Sequence, residues 1–217
     1  MKRTILISGA SRGIGKAIAI KALQDGHKIS IGIREPETIR GTLLDPKISG
    51  ESRVLVNRYD INDKDSLEKW IRNTCRSFGT FDSIINSSGI FLPTGFIYKD
   101  DEEQSINELI KINLLGPWQL LREGWNELEK KSQARIIVIV SMSGKRSKGN
   151  LAGYTASKFA LMGLCQTIRN EGWEKGIRIT AICPSWVNTD MAKNIQTMPK
   201  EDMTQPEDIA SITTNIL

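Results

Sequence analysis

Apolar residues in this chain come in short runs that alternate with longer amphipathic stretches. The runs are rich in Ile and Val and are apolar nearly throughout, which is typical of strands buried on both faces of a sheet. They predict strands at Thr4–Ser8, Lys28–Ile33, Arg53–Val56, Phe81–Asn86, Arg135–Ser141 and Arg178–Cys183. The amphipathic stretches predict helices at Ile14–Gln24, Glu35–Leu44, Lys64–Phe78, Asp101–Lys130, Gly153–Lys175 and from Pro206 to the end. This alternation indicates an α/β fold, with a doubly wound parallel sheet between two helical layers. The chain has no internal repeat and no Pro/Gly linker, so we expect one domain over residues 1–217.

The composition excludes several classes of protein. The apolar runs are far shorter than the roughly 20 residues that span a bilayer. The start of the chain shows no stretch of signal-peptide length. Three cysteines without paired spacing and a single histidine argue against a disulfide scaffold and against a metal site. We therefore expect a cytoplasmic protein that needs no metal and contacts no membrane.

The net charge of +5 changes this picture little. The 30 basic and 25 acidic residues are spread along the chain, with no block of five like charges. Such blocks are typical of interaction tails that bind nucleic acid. We expect no nucleic-acid partner, because a small ligand that carries phosphate explains a few arginines better.

A glycine-rich loop separates the first predicted strand from the first predicted helix. Gly9 allows a tight turn, Gly13 lets the backbone approach a phosphate, and Gly15 lets the helix pack closely on the strand. The helix that follows offers free N–H groups and the positive end of its dipole to an anion. The context predicts a Rossmann-type dinucleotide site, formed by Gly9, Ser11, Arg12, Gly13, Ile14 and Gly15. A plain glycine turn is the alternative.

Tyr154 and Lys158 are candidates for acid–base chemistry. The two residues are four positions apart in a predicted helix, so their side chains lie on one face of it. An ammonium group lowers the pKa of a nearby phenol, so the pair can act as a general acid or base in a chain with one histidine. Ser141 ends an apolar strand thirteen positions before Tyr154, and Ser143 follows two residues later.

At these residues the chain resembles the short-chain dehydrogenase/reductase family. Its glycine motif, TGxxxGxG, is matched except that Ser8 replaces Thr, and its YxxxK motif is matched at Tyr154 and Lys158. The resemblance implies that Ser141, chosen over Ser143 for its spacing from the tyrosine, is the catalytic serine. It further implies that Asn113, in the long fourth helix, orders a water that touches the lysine and completes a proton relay.

The resemblance adds cofactor contacts along the rest of the chain. Family members contact adenine, the ribose and the nicotinamide at positions matched here by Asp60, Ile61, Asn86, Ser88, Gly89, Pro184, Val187 and Thr189, together with Tyr154 and Lys158. Three residues depart from the pattern. Ser87 and Ser88 stand within the family's NNAG, and Ser185 replaces a glycine, which implies mild strain if that position needs a positive φ. The chain also ends earlier than most members of the family.

The residues after the second strand bear on the form of the cofactor. An acidic residue there hydrogen-bonds the ribose hydroxyls and disfavours a 2′-phosphate. This chain has Ile33-Arg34 instead, and Arg12 sits in the glycine loop. Because guanidinium pairs well with phosphate, we predict NADP(H) in preference to NAD(H). The alternative is that both arginines are solvated surface residues.

Together these features predict an oxidoreductase that transfers a hydride between NADP(H) and a small carbonyl or alcohol substrate. A catalytically silent NADP(H)-binding regulator of the same fold is one alternative, and a nucleotide-sugar epimerase or dehydratase is another. The segments expected to select the substrate are the loop after Gly89, Gly144–Ala152 and Met191–Met203. Phe91, Trp186 and Met191 suggest some apolar character there, and packing in the core or at the rim explains these three residues equally well. By the same resemblance we expect a homodimer at least, with a homotetramer left open, through apolar residues of two long helices: Leu114, Leu115, Trp118, Phe159, Leu161 and Leu164.

Overall fold

One parallel sheet of six strands organises the chain. The computed structural model describes residues 1–147, 149–196 and 198–217. The strands are β1 (Thr4–Ser8), β2 (Lys28–Ile33), β3 (Val54–Arg58), β4 (Ser83–Asn86), β5 (Ala134–Ile139) and β6 (Ile177–Ile182). They lie in the order β3-β2-β1-β4-β5-β6, and every pairing is parallel. The predicted doubly wound Rossmann-type sheet is confirmed.

Helices cover both faces of this sheet. They are α1 (Gly13–Gln24), α2 (Pro46–Ser49), α3 (Lys64–Phe78), α4 (Glu103–Ile110), α5 (Gly116–Glu129), α6 (Ala152–Gly172) and α7 (Pro206–Ile216). Successive strand side chains point to opposite faces. Accordingly Ile5 and Ile7 pack with α1 and α7 in one core, while Leu6 packs with α3, α5 and α6 in the other. None of the described helices is both long and apolar enough to cross a membrane.

Two of the predicted helices are wrong in their form. The stretch predicted as a helix at Glu35–Leu44 contains only a 3₁₀ turn, Pro36–Ile39, followed by turns and the short α2. Gly41 in that stretch has a φ of 73°, which ends helical geometry. The predicted helix Asp101–Lys130 is not continuous either, because a π turn at Lys111–Leu115 separates α4 from α5. The extra residue of a π turn rotates the side chains that follow it.

The strand order creates a crevice at the carboxyl edge of the sheet. β1 and β4 are neighbours, paired from Ile5↔Ser83 to Ser8↔Asn86, and the chain leaves them toward opposite helical layers. Ligands of open α/β sheets bind at such a point. The loops after β1, β4, β5 and β6 all open toward it, and these loops carry most of the residues singled out by the sequence.

Candidate active site

The loop after β1 is shaped by its glycines. Gly9 has a φ of 74°, and a Cβ there would lie 2.8 Å from the backbone of Ser87 and Ser88. A Cβ on Gly15 would overlap the carbonyl oxygen of Gly9, so only glycine lets α1 approach the turn this closely. The N-terminus of α1 has no side-chain cap among the described residues and no acidic residue in its first turn. Its free N–H groups therefore stay available for an anion.

The end of β4 carries an unpaired donor. Asn86 is buried, and its Oδ1 accepts a hydrogen bond from the Ser8 hydroxyl at 2.9 Å. Its Nδ2 has no partner among the described residues. Because leaving a buried polar group unpaired costs about 1–3 kcal/mol, this amide is prepared for a group that the protein itself does not supply.

Ser141 and Tyr154 meet beside this crevice. Ser141 lies two residues beyond β5, where its Oγ accepts the N–H of Ser143 at 3.1 Å. Tyr154 stands in the first turn of α6 and is 7% exposed. Burial raises the pKa of the phenol, and interaction with the Ser141 side chain opposes that rise. The Ser141 hydroxyl thus lies beside the phenol.

Lys158 lies one turn further along α6 and is 4% exposed. Its Nζ is 5.7 Å from the centre of the Tyr154 ring. Burial lowers the pKa of this ammonium to about 8. Lys158 is not among the causes that shift the pKa of Tyr154, which are burial and the Ser141 side chain.

Asn113 reaches the same point from the π turn between α4 and α5. It is fully buried, and its side chain clamps the loop after β4: Oδ1 accepts from Ile90 N at 2.8 Å and Nδ2 donates to Ile90 O at 3.0 Å. A Cβ on Gly89 would lie 3.2 Å from Asn113 Oδ1 and 3.4 Å from Lys158 Nζ. Asn113, Gly89 and Lys158 therefore converge around one small space.

The turn after β6 closes the other side of the crevice. The carbonyl of Pro184 accepts the N–H of Met142 at 2.8 Å, which ties this turn to the Ser141 loop. Val187 is buried and bridges to Thr204. The Thr189 methyl group would lie 3.3 Å from a Cβ on Gly13, so this turn faces the glycine loop directly. Ser185 is free of the expected strain, since Asn150 is the one described non-glycine residue with positive φ.

Comparison with known proteins shows the family to which the chain belongs. Residues 3–200 match the family model described as short chain dehydrogenase. The chain belongs to the short-chain dehydrogenase/reductase family.

Three known members of this family illustrate the likeness. The chain is 34% identical over 209 residues to agropine synthesis reductase of Rhizobium rhizogenes, an alignment that covers 96% of this chain and 47% of the relative. It therefore spans about half the length of that relative. It is 30% identical over 188 residues to the 3-oxoacyl-(acyl-carrier-protein) reductase FabG of Escherichia coli K12, covering 87% of this chain and 75% of FabG. Among solved structures, ElxO with NADP bound superposes with a TM-score of 0.86 at 25% identity, covering 99% of this chain and 91% of ElxO.

Four further residues predicted to contact the cofactor lie elsewhere along the chain, at Arg12, Arg34, Asp60 and Ile61. Arg34 follows β2 and is exposed. The Arg12 side chain is 73% exposed and lies 3.9 Å from the equally exposed carboxylate of Asp190. Asp60 Oδ1 accepts two hydrogen bonds from Asn62. Ile61 packs against Gly116, where a Cβ would overlap it.

Sequence reasoning missed one supporting residue of the short-chain dehydrogenase site. Ser157 is fully buried, donates its hydroxyl to the carbonyl of Tyr154 at 2.7 Å, and accepts from Asn113 Nδ2 at 3.1 Å. It links α6, which carries Tyr154 and Lys158, to Asn113 in the π turn between α4 and α5. Its position between Tyr154 and Lys158 indicates that it lies near the site. The sequence does not show, however, that a serine in a helix is buried. In the predicted substrate segments, Lys148 and Thr197 lie outside the described residues.

The apolar surface predicted to meet a partner is smaller than expected. Leu115, Trp118 and Phe159 are 42%, 51% and 44% exposed. Leu161 was wrongly included, because it is fully buried in the core of its own chain. Leu114 and Leu164 are half-buried.

Proposed function

We propose that the protein is an NADP-dependent oxidoreductase that interconverts a carbonyl compound and the corresponding alcohol. The observation that carries the proposal is the placement of Tyr154 and Ser141 side by side at the carboxyl edge of the sheet, with Lys158 one helical turn behind. The family match supports this class of reaction, as do the reductases named among the relatives.

Tyr154 is suited to give a proton to a carbonyl oxygen. A phenol has an unperturbed pKa of about 10, so it is protonated at neutral pH and has a proton to donate. Burial raises the pKa of Tyr154 and weakens it as an acid, while the interaction with the Ser141 side chain opposes that rise and so assists the transfer. Ser141 lies where its hydroxyl can hold the same oxygen. In the opposite direction Tyr154 would take the proton back from the alcohol, because a general acid of one direction is the general base of the other.

Lys158 and Asn113 would carry the proton onward. Lys158 Nζ and Asn113 Oδ1 face one space beside Gly89. A water in that space would find a donor and an acceptor at hydrogen-bonding range, which is what an ordered water requires. We propose this path as the route by which Tyr154 regains its proton from solvent.

The crevice fits a dinucleotide. The glycine loop leaves no room for a Cβ at Gly9 or Gly15. The N-terminus of α1 is uncapped among the described residues, and Asn86 Nδ2 has no acceptor among them. Gly13, Ile14 and Gly15 would hold the phosphates, while Val187, Thr189, Tyr154 and Lys158 would face the nicotinamide half. When bound, the nicotinamide supplies or accepts the hydride.

The experiment is an NADPH-consumption screen across ketones and aldehydes with wild type and Tyr154→Phe. The variant keeps the ring and loses only the hydroxyl proton, so we expect at least a hundredfold lower kcat with unchanged cofactor binding, in line with the usual contribution of general acid–base catalysis. A Tyr154→Phe variant that stays within tenfold of wild-type kcat would refute the role of Tyr154. Binding of NADPH without turnover of any carbonyl would favour a regulatory protein instead.

The preference for NADP(H) rests on Arg34, with support from Arg12. A 2′-phosphate carries up to about two negative charges near neutral pH, and a hydrogen bond to a charged group contributes roughly 1.5–3 kcal/mol. Arg34→Ala should therefore weaken NADPH about ten- to a hundredfold and leave NADH binding nearly unchanged. Fluorescence titration of both reduced cofactors tests this. A parallel loss of both would show that Arg34 is only a solvated surface residue.

A further inference from the structure

The loop after β4 lies across the first turn of α6, directly beside Tyr154. Both backbone polar groups of Ile90 are held by Asn113. Thr94 is buried, and its Oγ1 would lie 2.5 Å from a Cβ on Gly153. These two anchors fix the backbone on either side of Phe91.

Phe91 uses this anchored position to contact the candidate proton donor. Its ring centre is 5.0 Å from that of Tyr154, and the two planes meet at 81°. This edge-to-face geometry is the favoured one for aromatic pairs. Tyr154 is nearly buried but Phe91 is only half-buried, so part of the Phe91 surface remains open beside the phenol.

We propose that Phe91 is a specificity-determining residue that favours carbonyl substrates whose group next to the carbonyl carbon is apolar. The inference rests on the proposed function, in which the carbonyl oxygen binds between Ser141 and Tyr154. Because the Phe91 ring contacts the Tyr154 ring, a substrate with its oxygen there would place one substituent of the carbonyl carbon near the Phe91 ring. An alkyl or aryl group buries apolar surface on that ring. A carboxylate at the same place loses water and gains no partner from the ring.

Cationic side chains near the site would favour the opposite kind of substrate. Lys158 Nζ lies beside Asn113 and Gly89, 5.7 Å from the centre of the Tyr154 ring. Lys145 and Arg146 are exposed on the loop that follows Ser141. If these cations selected the group next to the carbonyl carbon, the protein would prefer 2-oxo acids. Selection by the cations and selection by Phe91 therefore predict opposite substrates.

The test compares two methyl ketones of similar shape, 3-methylbutan-2-one and pyruvate, which place an isopropyl group or a carboxylate beside the carbonyl. We expect wild type to have the higher kcat/KM with 3-methylbutan-2-one. Phe91→Ala should lower that kcat/KM about tenfold or more, mainly through KM, which is the range for loss of apolar contact in a substrate pocket. Its kcat/KM for pyruvate should change less than threefold, and Phe91→Leu should restore most of the preference.

Phe96→Ala is the matched control, since Phe96 stands on the same loop but is 85% exposed. It should leave the ratio of the two substrates as in wild type. An unchanged ratio in Phe91→Ala, or a wild type that prefers pyruvate, would overturn the proposal while leaving the proposed function standing. Dissociation constants of both ketones for the protein–NADPH complex, from ligand-observed NMR, give the same comparison without turnover. If neither ketone were reduced but the constants shifted as expected, the proposed function would fail and the role of Phe91 would hold.

Discussion

Lys158 holds a buried ammonium that has no carboxylate partner among the described residues, and this arrangement should destabilise the protein in the absence of cofactor. Burial lowers the pKa of Lys158 from 10.5 to about 8. A difference of one pKa unit corresponds to 1.36 kcal/mol, so at pH 7 the folded protein loses about 3 kcal/mol relative to a chain with a neutral side chain there. Lys158→Met replaces the ammonium by an apolar group of similar length. We therefore expect the variant to be inactive and yet more stable than wild type by up to about 3 kcal/mol.

The pH dependence gives the sharper measurement. Below pH 8 the lysine is charged in both states, and the full penalty applies. Between about pH 8 and 10.5 the unfolded chain keeps a proton that the folded protein has released, so the stability of wild type rises with pH. With these values wild type should gain about 1 kcal/mol on Lys158→Met between pH 7 and pH 9. Urea titrations of the cofactor-free proteins at both pH values measure the difference.

A surface lysine supplies the control. Lys69 is exposed on α3, so the stability difference between Lys69→Met and wild type should be nearly the same at pH 7 and pH 9. The reasoning is refuted if Lys158→Met is less stable than wild type at pH 7. It is also refuted if its advantage does not shrink at the higher pH, since the penalty would then not come from the charge.

Two further predictions concern packing and assembly. Gly15→Ala should lower the free energy of unfolding by about 1–3 kcal/mol or more, because its Cβ would overlap Gly9 O. Gly163 lies on α6 with open space around it, so Gly163→Ala should instead raise the free energy of unfolding by about 0.5–1 kcal/mol. Urea titration of both variants measures the two changes. Trp118 and Phe159 expose apolar surface on α5 and α6, so we expect wild type to be a dimer by light scattering at tens of micromolar. Trp118→Glu should shift the protein toward monomer. A wild type of monomer size would contradict the proposed assembly.

Where local signals agree with the tertiary structure, the sequence predicts the elements well. The bounds of β1 and β2 follow from apolar runs that end at a glycine turn or a charged residue. α3 begins where Asp63 accepts the N–H of Ser66 and ends before Gly79, whose φ is 80°. Both are recognised start and stop signals for a helix.

The prediction fails where burial is achieved without regular structure. Ile39 and Leu44 are both buried in the core shared with α1. They are five residues apart, whereas neighbours on one face of a helix are three or four apart. Pro36 and Pro46 flank the segment, and its backbone buries the two side chains through turns instead. The presence of apolar residues indicates that the segment is buried, and only their spacing can distinguish a helix from a folded loop that buries the same residues.

The π turn at Asn113 is the other feature that no local signal predicts. It adds a residue to one turn of helix, and the favourable contacts that offset it come from elsewhere: the two hydrogen bonds to Ile90 and the contact of Ile61 with Gly116. Both depend on segments distant in sequence. A resemblance to known proteins can place Asn113 in a site, but its geometry follows only from the assembled fold.

The unfavourable features of the fold gather around one crevice. The buried charge of Lys158 lies there, and so does the π turn. Four buried side-chain atoms lack partners among the described residues, and three of them belong to segments that border the crevice: Asn86 Nδ2, Thr94 Oγ1 and Thr155 Oγ1. The fourth, on Asn57, lies in the edge strand β3. Local inconsistencies of this kind are expected to concentrate where a protein binds or reacts. These features lie at the carboxyl ends of β1 and β4, and the rest of the core is well packed. In the proposed function, the bound dinucleotide would supply the contacts that the protein's own side chains do not.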